Sequence, residues 1–436
     1  MSDRQMNRRR QYLILGLVSV IGAGVFSFLL FPRLVEPLKV YYLRADGYYD
    51  IAENLLAGKG FHYGEKPGFD TGAFKREPLY PLFLAAIMKT GSFLPILISI
   101  QILIYLLTVW TAYSLFLKFG NPVIAFWASL LFASYPYSYW YVAKPTPENI
   151  TPLLLLINVL LCHNYISERD PKFLFLWGIT SAACVLSKSN LLLAVLVGLG
   201  VIWLRMPKSW KLVGHSAVCL IIFLACLSPW VIRNYRLSEK FIWGSSMFGT
   251  VFFVGNVNAD WATVKDLATH QKGENEITAE WKRIYDEKKE TGPPEQRENQ
   301  FLLEAAVDTE FARRVGPWIF NNKMEFLKKL LINLPTMWFI TTDKIKSILL
   351  LVFQTGLIFT CIYGVWLTLR QKITTFELHA LLLMFAMYVA NAAIFADARF
   401  THVVLPFIAY FSAVGLGNIL RSRFGPRPSA AIEHPR

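Results

Sequence analysis

Asp46, Asp50 and Glu53 are the acidic residues whose spacing most readily supports chemistry. They stand at positions i, i+4 and i+7, which one face of a helix would bring together. A carboxylate held in this way can act as a general base and take the proton of a hydroxyl group. The alternative is structural: Asp46 caps the helix, because Asp is favoured at that position, and the other two acids are solvated.

A second acid and several cations extend this set. Glu148 precedes an apolar run, where an acid also suits the first turn of a helix. The cations are Arg76, Lys188, Arg233 and Arg399, and such side chains can stabilise a phosphate group as it leaves. The alternatives are a structural salt bridge between Arg76 and Glu77 and a Lys188 side chain that reaches lipid head groups. The further candidates for substrate binding are Arg76, Glu77, Tyr80, Lys188, Arg233 and Arg399.

The elements that must position these groups are membrane helices. Hydrophobic residues make up 54% of the 436 residues and charged residues only 17%, below the roughly 25% typical of soluble domains. Runs of about 20 apolar residues can cross a bilayer. We predict an all-α, polytopic transmembrane bundle of about ten spans. The predicted spans are 12–31, 95–117, 122–137, 148–165, 172–187, 190–205, 211–231, 347–369, 376–395 and 400–420.

The net charge of +14 does not indicate nucleic acid as a partner, because of where the charge lies. Basic residues concentrate in the tails and in short loops on one side, as the positive-inside rule describes. Segment 232–346 is nearly balanced, with 17 basic and 16 acidic residues. We therefore predict a core over 1–231 that carries a first outward loop at 32–94. An outward helical region follows at 232–346, and the last helices and a basic cytosolic tail occupy 347–436.

The outward segments contain further predicted helices. One runs from Asp46 to about Ala57, and another begins near Pro78. In the second segment we predict helices over 274–290, 295–315 and 318–334, with Gly316-Pro317 ending the second of them. Apolar residues at helical spacing beside lysines suggest that the third lies in the membrane interface. The five cysteines imply no disulfide framework. No cofactor is certain, because the histidines do not cluster in sequence, and a divalent cation stays open.

Several stretches resemble GT-C membrane glycosyltransferases, in the branch of protein O-mannosyltransferases and aminoarabinose transferases. The first is Asp46-x-x-Tyr49-x-x-Ala52-x-x-Leu55-x-x-Gly58-x-Gly60-Phe61, followed by Arg76-x-Pro78-Leu79-Tyr80-Pro81. Pro229-Trp230-x-Ile232-Arg233-Asn234-Tyr235 is similar to the segment that ends the helical core, and Arg399-Phe400 with Pro406 to a closing element. The chain departs from the O-mannosyltransferases at Asp46-Gly47, where they usually show Asp-Glu.

The resemblance implies a GT-C-like fold and inverting transfer of one sugar, hexosyl or pentosyl, from a polyprenyl-phosphate donor. Asp46 would be the base and Glu148 the second catalytic acid, while Lys188, Arg233, Arg76 and Arg399 would contact the donor phosphate. The acceptor would be a hydroxyl of a lipid, glycan or protein. The enzyme would lie in the bacterial cytoplasmic membrane with its site facing outward. Two alternatives are a transporter or flippase of a lipid-linked glycan and a ligase that transfers whole glycans.

Overall fold

The computed structural model describes residues 3–35, 46–64, 71–91, 93–245, 248–257, 270–341, 344–394 and 396–424. The described residues form helices and turns and contain no β-strand. The tail predicted to be basic and cytosolic lies outside them after residue 424. The all-α prediction is therefore confirmed.

The helices up to residue 238 form most of the bundle. A π-helical turn at Phe26–Leu30 joins the first two, and 3₁₀ turns at Pro147–Asn149 and Ser189–Leu191 precede the helices that begin at Ile150 and Leu192. In chain order the helices are α1 (Asp3–Val25), α2 (Phe31–Val35), α3 (Tyr48–Leu56), α4 (Leu79–Met88), α5 (Phe93–Phe119), α6 (Pro122–Ala133), α7 (Pro136–Ala143), α8 (Ile150–Glu168), α9 (Pro171–Ser187), α10 (Leu192–Arg205) and α11 (Trp210–Ser238).

The helices after residue 245 lie in the segment predicted to face outward, 232–346, and in the end of the bundle. They are α12 (Phe248–Val257), α13 (His270–Thr291), α14 (Pro294–Glu298), α15 (Gln300–Asn321), α16 (Lys323–Thr336), α17 (Lys344–Leu369), α18 (Thr375–Ala392), α19 (Arg399–His402) and α20 (Leu405–Phe424).

Each of the ten predicted spans coincides with an apolar helix, although the helices differ in length. Among the described residues, six helices are long and apolar enough to cross a membrane. Four other predicted spans correspond to shorter apolar helices, α6, α9, α10 and α20. The turn between α9 and α10 carries Lys188, and the short helix before α20 begins at Arg399.

The helix boundaries in segment 232–346 differ from the prediction in two respects. The helix predicted over 295–315 is divided at Asn299 into α14 and α15. Gly316-Pro317 does not end a helix, because α15 continues through Pro317 to Asn321. Proline costs a helix one backbone hydrogen bond. Gly316 and Pro317 lie on the exposed side of α15, where water can satisfy the freed carbonyl. The predicted separation between the first two helices, after residue 290, is confirmed, since α13 ends at Thr291 and α14 begins at Pro294.

Helix α16 has the two-sided character that the sequence predicts. Met324, Leu327 and Leu331 are between 46% and 76% exposed on one face. Lys329, Asn333 and Thr336 are buried on the other. An exposed apolar stripe beside lysines suits a helix at the membrane interface, which stays a prediction here.

Two glycines allow the last spans to pack in direct backbone contact. A Cβ atom on Gly364 of α17 would lie 1.9 Å from the Phe411 carbonyl oxygen of α20, and one on Gly415 would lie 2.1 Å from the Thr360 oxygen. Small residues let membrane helices approach this closely and gain van der Waals contact. In the chain, α20 follows the short helix that begins at Arg399.

We expect Gly364→Ala to destabilise the protein by about 1–3 kcal/mol, because the added methyl group forces the two backbones apart. Thermal unfolding of the purified protein in detergent would show a lower midpoint. Gly356→Ala on the same helix is the control, since its Cβ would have no atom within 4 Å. Equal midpoints for the two variants would contradict the close packing.

Candidate active site

Asp46 lies in a turn immediately before α3 and does not cap that helix. The helix begins at Tyr48, and Gly47 occupies the cap position with a left-handed φ of 73° and no side-chain capping bond. A Cβ atom on Gly47 would also lie 2.8 Å from the Tyr63 ring, so glycine suits both the backbone and the space. The capping alternative is therefore wrong for Asp46, and so is its place on a helical face with Asp50 and Glu53.

Three cations from distant parts of the chain surround the Asp46 carboxylate. Lys144 Nζ lies 2.5 Å from Oδ2, and guanidinium nitrogens of Arg399 and Arg76 lie 3.6 Å and 3.8 Å from Oδ1. Arg76 also donates a hydrogen bond from Nε to the Asp46 backbone oxygen at 2.8 Å. The Asp46 side chain is 16% exposed, which makes these attractions stronger than they would be in water.

The balance of burial and charge determines the ionisation of Asp46. Burial alone would raise the pKa of its carboxyl group. Attraction to Lys144, Arg399 and Arg76 together outweighs burial and holds that pKa well below its ordinary value. Asp46 is therefore a carboxylate at any pH at which the protein would work. It can accept a proton readily only after some of the surrounding cations have exchanged their contact with Asp46 for a contact with another anion.

Glu148 forms a second ion pair beside the first. It lies in the turn before α8, and its Oε1 atom accepts a hydrogen bond from Lys188 Nζ at 3.0 Å. Lys188 stands in the turn between α9 and α10, and its Nζ lies 5.5 Å from the centre of the Phe400 ring. Two acids that the sequence places 102 residues apart thus reach the same end of the bundle, each with its own lysine.

Arg399 connects the two ion pairs. Burial would lower the pKa of its guanidinium, but the carboxylates of Asp397, Asp46 and Glu148 together raise that pKa above its ordinary value. Asp397 also accepts a hydrogen bond from the Arg399 backbone N–H at 2.9 Å and lies 3.5 Å from its Nε. The short helix α19 therefore brings a positive charge into electrostatic contact with both candidate catalytic acids.

Glu77 and Tyr80 hold the neighbouring turns. Glu77 Oε1 accepts a hydrogen bond from the Ser189 backbone N–H at 2.7 Å, which fixes the turn that carries Lys188. The Tyr80 hydroxyl donates to Gln101 Oε1 at 3.3 Å, and Gln101 Nε2 in turn donates to the Lys144 carbonyl oxygen at 3.1 Å. The structural alternative of an Arg76–Glu77 ion pair is wrong, because Arg76 pairs with Asp46.

Arg233 is directed towards backbone carbonyl groups of the first outward loop. Its guanidinium donates to the carbonyl oxygens of Ala73 at 2.7 Å and Phe61 at 3.0 Å. It also lies between 4.9 Å and 5.5 Å from the ring centres of Phe61, Phe74 and Trp230. In this arrangement Arg233 ties the loop to α11, and the structure does not bring it together with the ion pairs of Asp46 and Glu148.

Lys144 is the site residue that the sequence prediction omits. It lies at the end of α7, four residues before Glu148, and makes the shortest contact to Asp46. A signal was present: the lysine stands in the same turn as a candidate acid, on the same predicted side of the membrane. Its partner lies 98 residues away, so no local pattern indicates which acid it faces.

The arrangement does not provide a donor set for a metal ion. Among the described residues no group of three or more His, Cys, Asp or Glu side chains is suited to hold one. Asp46 and Glu148 each face an ammonium group at hydrogen-bond distance, where a cation-binding carboxylate would face the metal.

We expect Arg233→Met to lower the thermal unfolding midpoint, because each carbonyl group left without a donor costs about 1–3 kcal/mol. The exposed Arg236, one turn along α11, provides the matched control Arg236→Met. Unfolding of both variants can be followed by circular dichroism in detergent. A parent-like midpoint for Arg233→Met would instead leave its guanidinium available for an anionic ligand.

Comparison with known proteins places this geometry in a broader context. Residues 75–232 match the sequence model of the family described as dolichyl-phosphate-mannose-protein mannosyltransferase. This stretch contains Arg76, Lys144, Glu148 and Lys188. A search of curated proteins finds no match.

Solved structures show the same fold at low sequence identity. The apo crystal structure of the Archaeoglobus fulgidus oligosaccharyltransferase superposes with a TM-score of 0.54 at 14% identity, over 94% of this chain and 51% of that one. The same enzyme tethered to an acceptor peptide with an NVT sequon gives a TM-score of 0.54 at 15% identity, over 94% and 50%. The chain thus spans about half the length of these proteins.

These similarities agree with the resemblance in the first outward loop. The oligosaccharyltransferase is a GT-C enzyme, and the matched sequence family is a GT-C mannosyltransferase family. The chain is therefore a membrane protein with the GT-C fold, similar over residues 75–232 to the dolichyl-phosphate-mannose-protein mannosyltransferases.

Proposed function

We propose that the chain is an inverting glycosyltransferase that moves one sugar from a polyprenyl-phosphate donor to a hydroxyl group of an envelope glycan, lipid or protein. One observation carries the proposal: Lys144, Lys188, Arg76 and Arg399 converge on the two carboxylates of Asp46 and Glu148. The description of the matched family, which names a dolichyl-phosphate mannose donor and a protein acceptor, supports the donor class.

Asp46 is the general base in this proposal. The acceptor hydroxyl oxygen attacks the anomeric carbon of the sugar from the side opposite the phosphate, and its proton passes to an Asp46 oxygen. The bond between the anomeric carbon and the phosphate oxygen breaks, and the bonding electrons leave with the phosphate. Attack from the opposite side inverts the anomeric configuration. Glu148 remains ionised and holds Lys188 in place through the 3.0 Å contact.

The cations bind the donor and stabilise its departure. A phosphate bound between Lys144 and Lys188 competes with Asp46 and Glu148 for the two ammonium groups. Charge-assisted contacts of this kind are among the strongest hydrogen bonds in proteins. When the positive charge shifts from Asp46 towards the phosphate, the pKa of Asp46 rises, and the carboxylate becomes a better base. Donor binding therefore prepares the base for reaction.

The position of the site fits a lipid-linked donor. Asp46, Glu148 and Lys188 occupy turns, and Arg399 begins the short helix α19, at one end of the helical bundle, where a head group would meet the protein. The positive-inside rule assigns the opposite end to the cytosol. We therefore place the site on the outer face of a bacterial cytoplasmic membrane. A flippase or transporter would instead be expected to place such groups near the membrane midplane, in broken helices.

We expect Asp46→Asn to reduce transfer by about 10²–10⁴-fold, because the variant lacks a base for the acceptor hydroxyl. The measurement is release of polyprenyl phosphate from a synthetic polyprenyl-phosphate sugar by the purified protein. Asp50→Asn, four residues along the same segment, is the control and should have a smaller effect. Ordinary turnover by Asp46→Asn would refute the assignment of the base. Transbilayer movement of the donor without any release would favour the flippase.

Lys144→Met and Lys188→Met should each weaken donor binding. The loss of one hydrogen bond to a charged group, about 1.5–3 kcal/mol, corresponds to a factor of about 10 to 10² in Kd. Titration of the variants with the donor, followed by intrinsic fluorescence, measures this. Lys118→Met is the control, because Lys118 pairs with Glu168 at the opposite end of α8 and is 45% exposed. Parent-like affinity in both test variants would place the phosphate elsewhere.

A further inference from the structure

Lys329 is a buried lysine that faces the protein and has no acidic partner within the described part of the chain. It lies on the inner face of α16 and is 6% exposed, whereas its neighbour Lys328 is exposed. Among the described residues it forms no salt bridge, and burial lowers its pKa to about 7. Burial of a lysine amine is unfavourable, and α16 has an exposed face on which a lysine can stay in water. The contacts of the Lys329 amine must therefore offset the cost of its burial.

The Lys329 amine uses three donors, and two of them hold the end of α18. Its Nζ donates to the carbonyl oxygens of Ala393 at 3.0 Å and Ile394 at 2.7 Å, and to Asn256 Oδ1 at 2.7 Å. The last carbonyls of a helix have no partner within the helix, and a cation there also interacts favourably with the helix dipole. Lys329 therefore closes the carboxyl end of α18.

Two asparagines on other elements complete the same brace. Asn333, one turn along α16, donates to the Ala392 carbonyl oxygen at 2.8 Å. Asn256, at the end of α12, donates to the Ala393 oxygen at 3.2 Å while it accepts from Lys329. The carbonyl groups of residues 392–394 are thus held from α12 and from α16.

The braced segment leads directly to the site. Arg399 follows Ile394 by five residues, and the turn between them is fixed by a hydrogen bond from the Ala398 N–H to the Ile340 oxygen at 2.7 Å. On the other side, Asn391 Oδ1 accepts from Asn190 Nδ2 at 3.3 Å, and Asn190 lies two residues after Lys188. The end of α18 therefore contacts the turns of both Arg399 and Lys188.

We propose that Lys329 is a positioning residue for transfer: together with Asn256 and Asn333 it fixes the end of α18, and so keeps Arg399 within reach of the two catalytic acids. The proposal rests on the proposed function, in which Arg399 stabilises charge at the site. Lys329 itself does not contact the substrate. A misplacement of about 1 Å at a site residue can cost 10²-fold in rate, which is the scale on which such a brace matters.

Hydrogen exchange tests the brace without any reference to activity. We expect Lys329→Met to increase deuterium uptake in peptides covering 391–402, measured by mass spectrometry on the full chain in detergent. Lys328→Met, the same substitution at the adjacent exposed position, should leave uptake unchanged. If Lys329→Met does not fold, Asn333→Ala removes one bond of the same brace and should show the same local increase. Parent-like uptake in the folded variants would overturn the proposal.

A double-mutant cycle tests whether the brace acts through Arg399. Lys329→Met should lower kcat/KM for transfer by about 10- to 10²-fold. In an Arg399→Ala background the same change should cost less than about twofold, because residues that act through one another are not additive. Lys329→Arg, which keeps the charge, should restore part of the rate. An equal loss in both backgrounds would overturn the positioning role.

The two experiments also separate this inference from the proposed function. If the parent protein transfers no sugar from a polyprenyl phosphate, the proposed function fails, and hydrogen exchange alone decides whether Lys329 braces the turn.

Discussion

The carboxylate of Asp46 is held with little access to water, and its neutralisation is the constraint on which the other features depend. An unpaired charge in such a place is strongly unfavourable, and removal of one partner from a buried pair typically costs about 3–5 kcal/mol. Three cations supply the compensation, from the loop before α4, the end of α7 and the short helix α19. The bundle must therefore bring the ends of several helices to one point, within the few ångströms over which an ion pair is strong.

Residues around the ion pairs of Asp46 and Glu148 hold the converging helix ends by hydrogen bonds to backbone carbonyl groups. Arg233 holds the first outward loop by the oxygens of Phe61 and Ala73, and Gln101 holds the turn of Lys144. Lys329 holds the end of α18. Among the cations named here, Lys144, Lys188 and Arg399 form a first group that faces carboxylates, and Arg233 and Lys329 form a second group that faces carbonyls. Arg76 contacts both kinds of oxygen. The first group can exchange partners with a phosphate at little cost, whereas the second cannot leave without exposing unpaired oxygens.

The fold and the candidate acids could be predicted from the sequence because their signals are local. Apolar runs of sufficient length indicate spans, and Asp46 followed by Gly47 and an aromatic pair is a short, recognisable pattern. The pairing of charges could not be predicted in this way. Arg233 and Lys144 are both cations near a helix end on the same predicted side. Only the packing of α11 against the first loop and of α7 beside it turns one towards carbonyls and the other towards Asp46.

The same limit explains the errors near α3 and in α15. Asp is a good capping residue, but Gly47 takes the cap position in a left-handed conformation, so that the helix begins one residue later, at Tyr48, and the Asp46 oxygens are already used by cations. A Gly-Pro pair usually ends a helix, but on an exposed face water replaces the lost bond. Asp does favour the N-cap and Gly-Pro does favour a helix end. In each place, contacts outside the local sequence determined whether that preference was followed.

The arrangement around Asp46 also couples the two charge changes of the proposed reaction. A donor phosphodiester carries one negative charge, and the departing phosphate monoester gains a second. In the same step the Asp46 carboxylate takes a proton and loses its charge. Lys144, Arg76 and Arg399 then have no anion left to neutralise at Asp46, at the moment when the phosphate needs more positive charge. If the base lay away from these cations, its protonation would free no positive charge for the phosphate. The contacts that make Asp46 a weak base before the donor binds are therefore the ones that favour the departure of the phosphate.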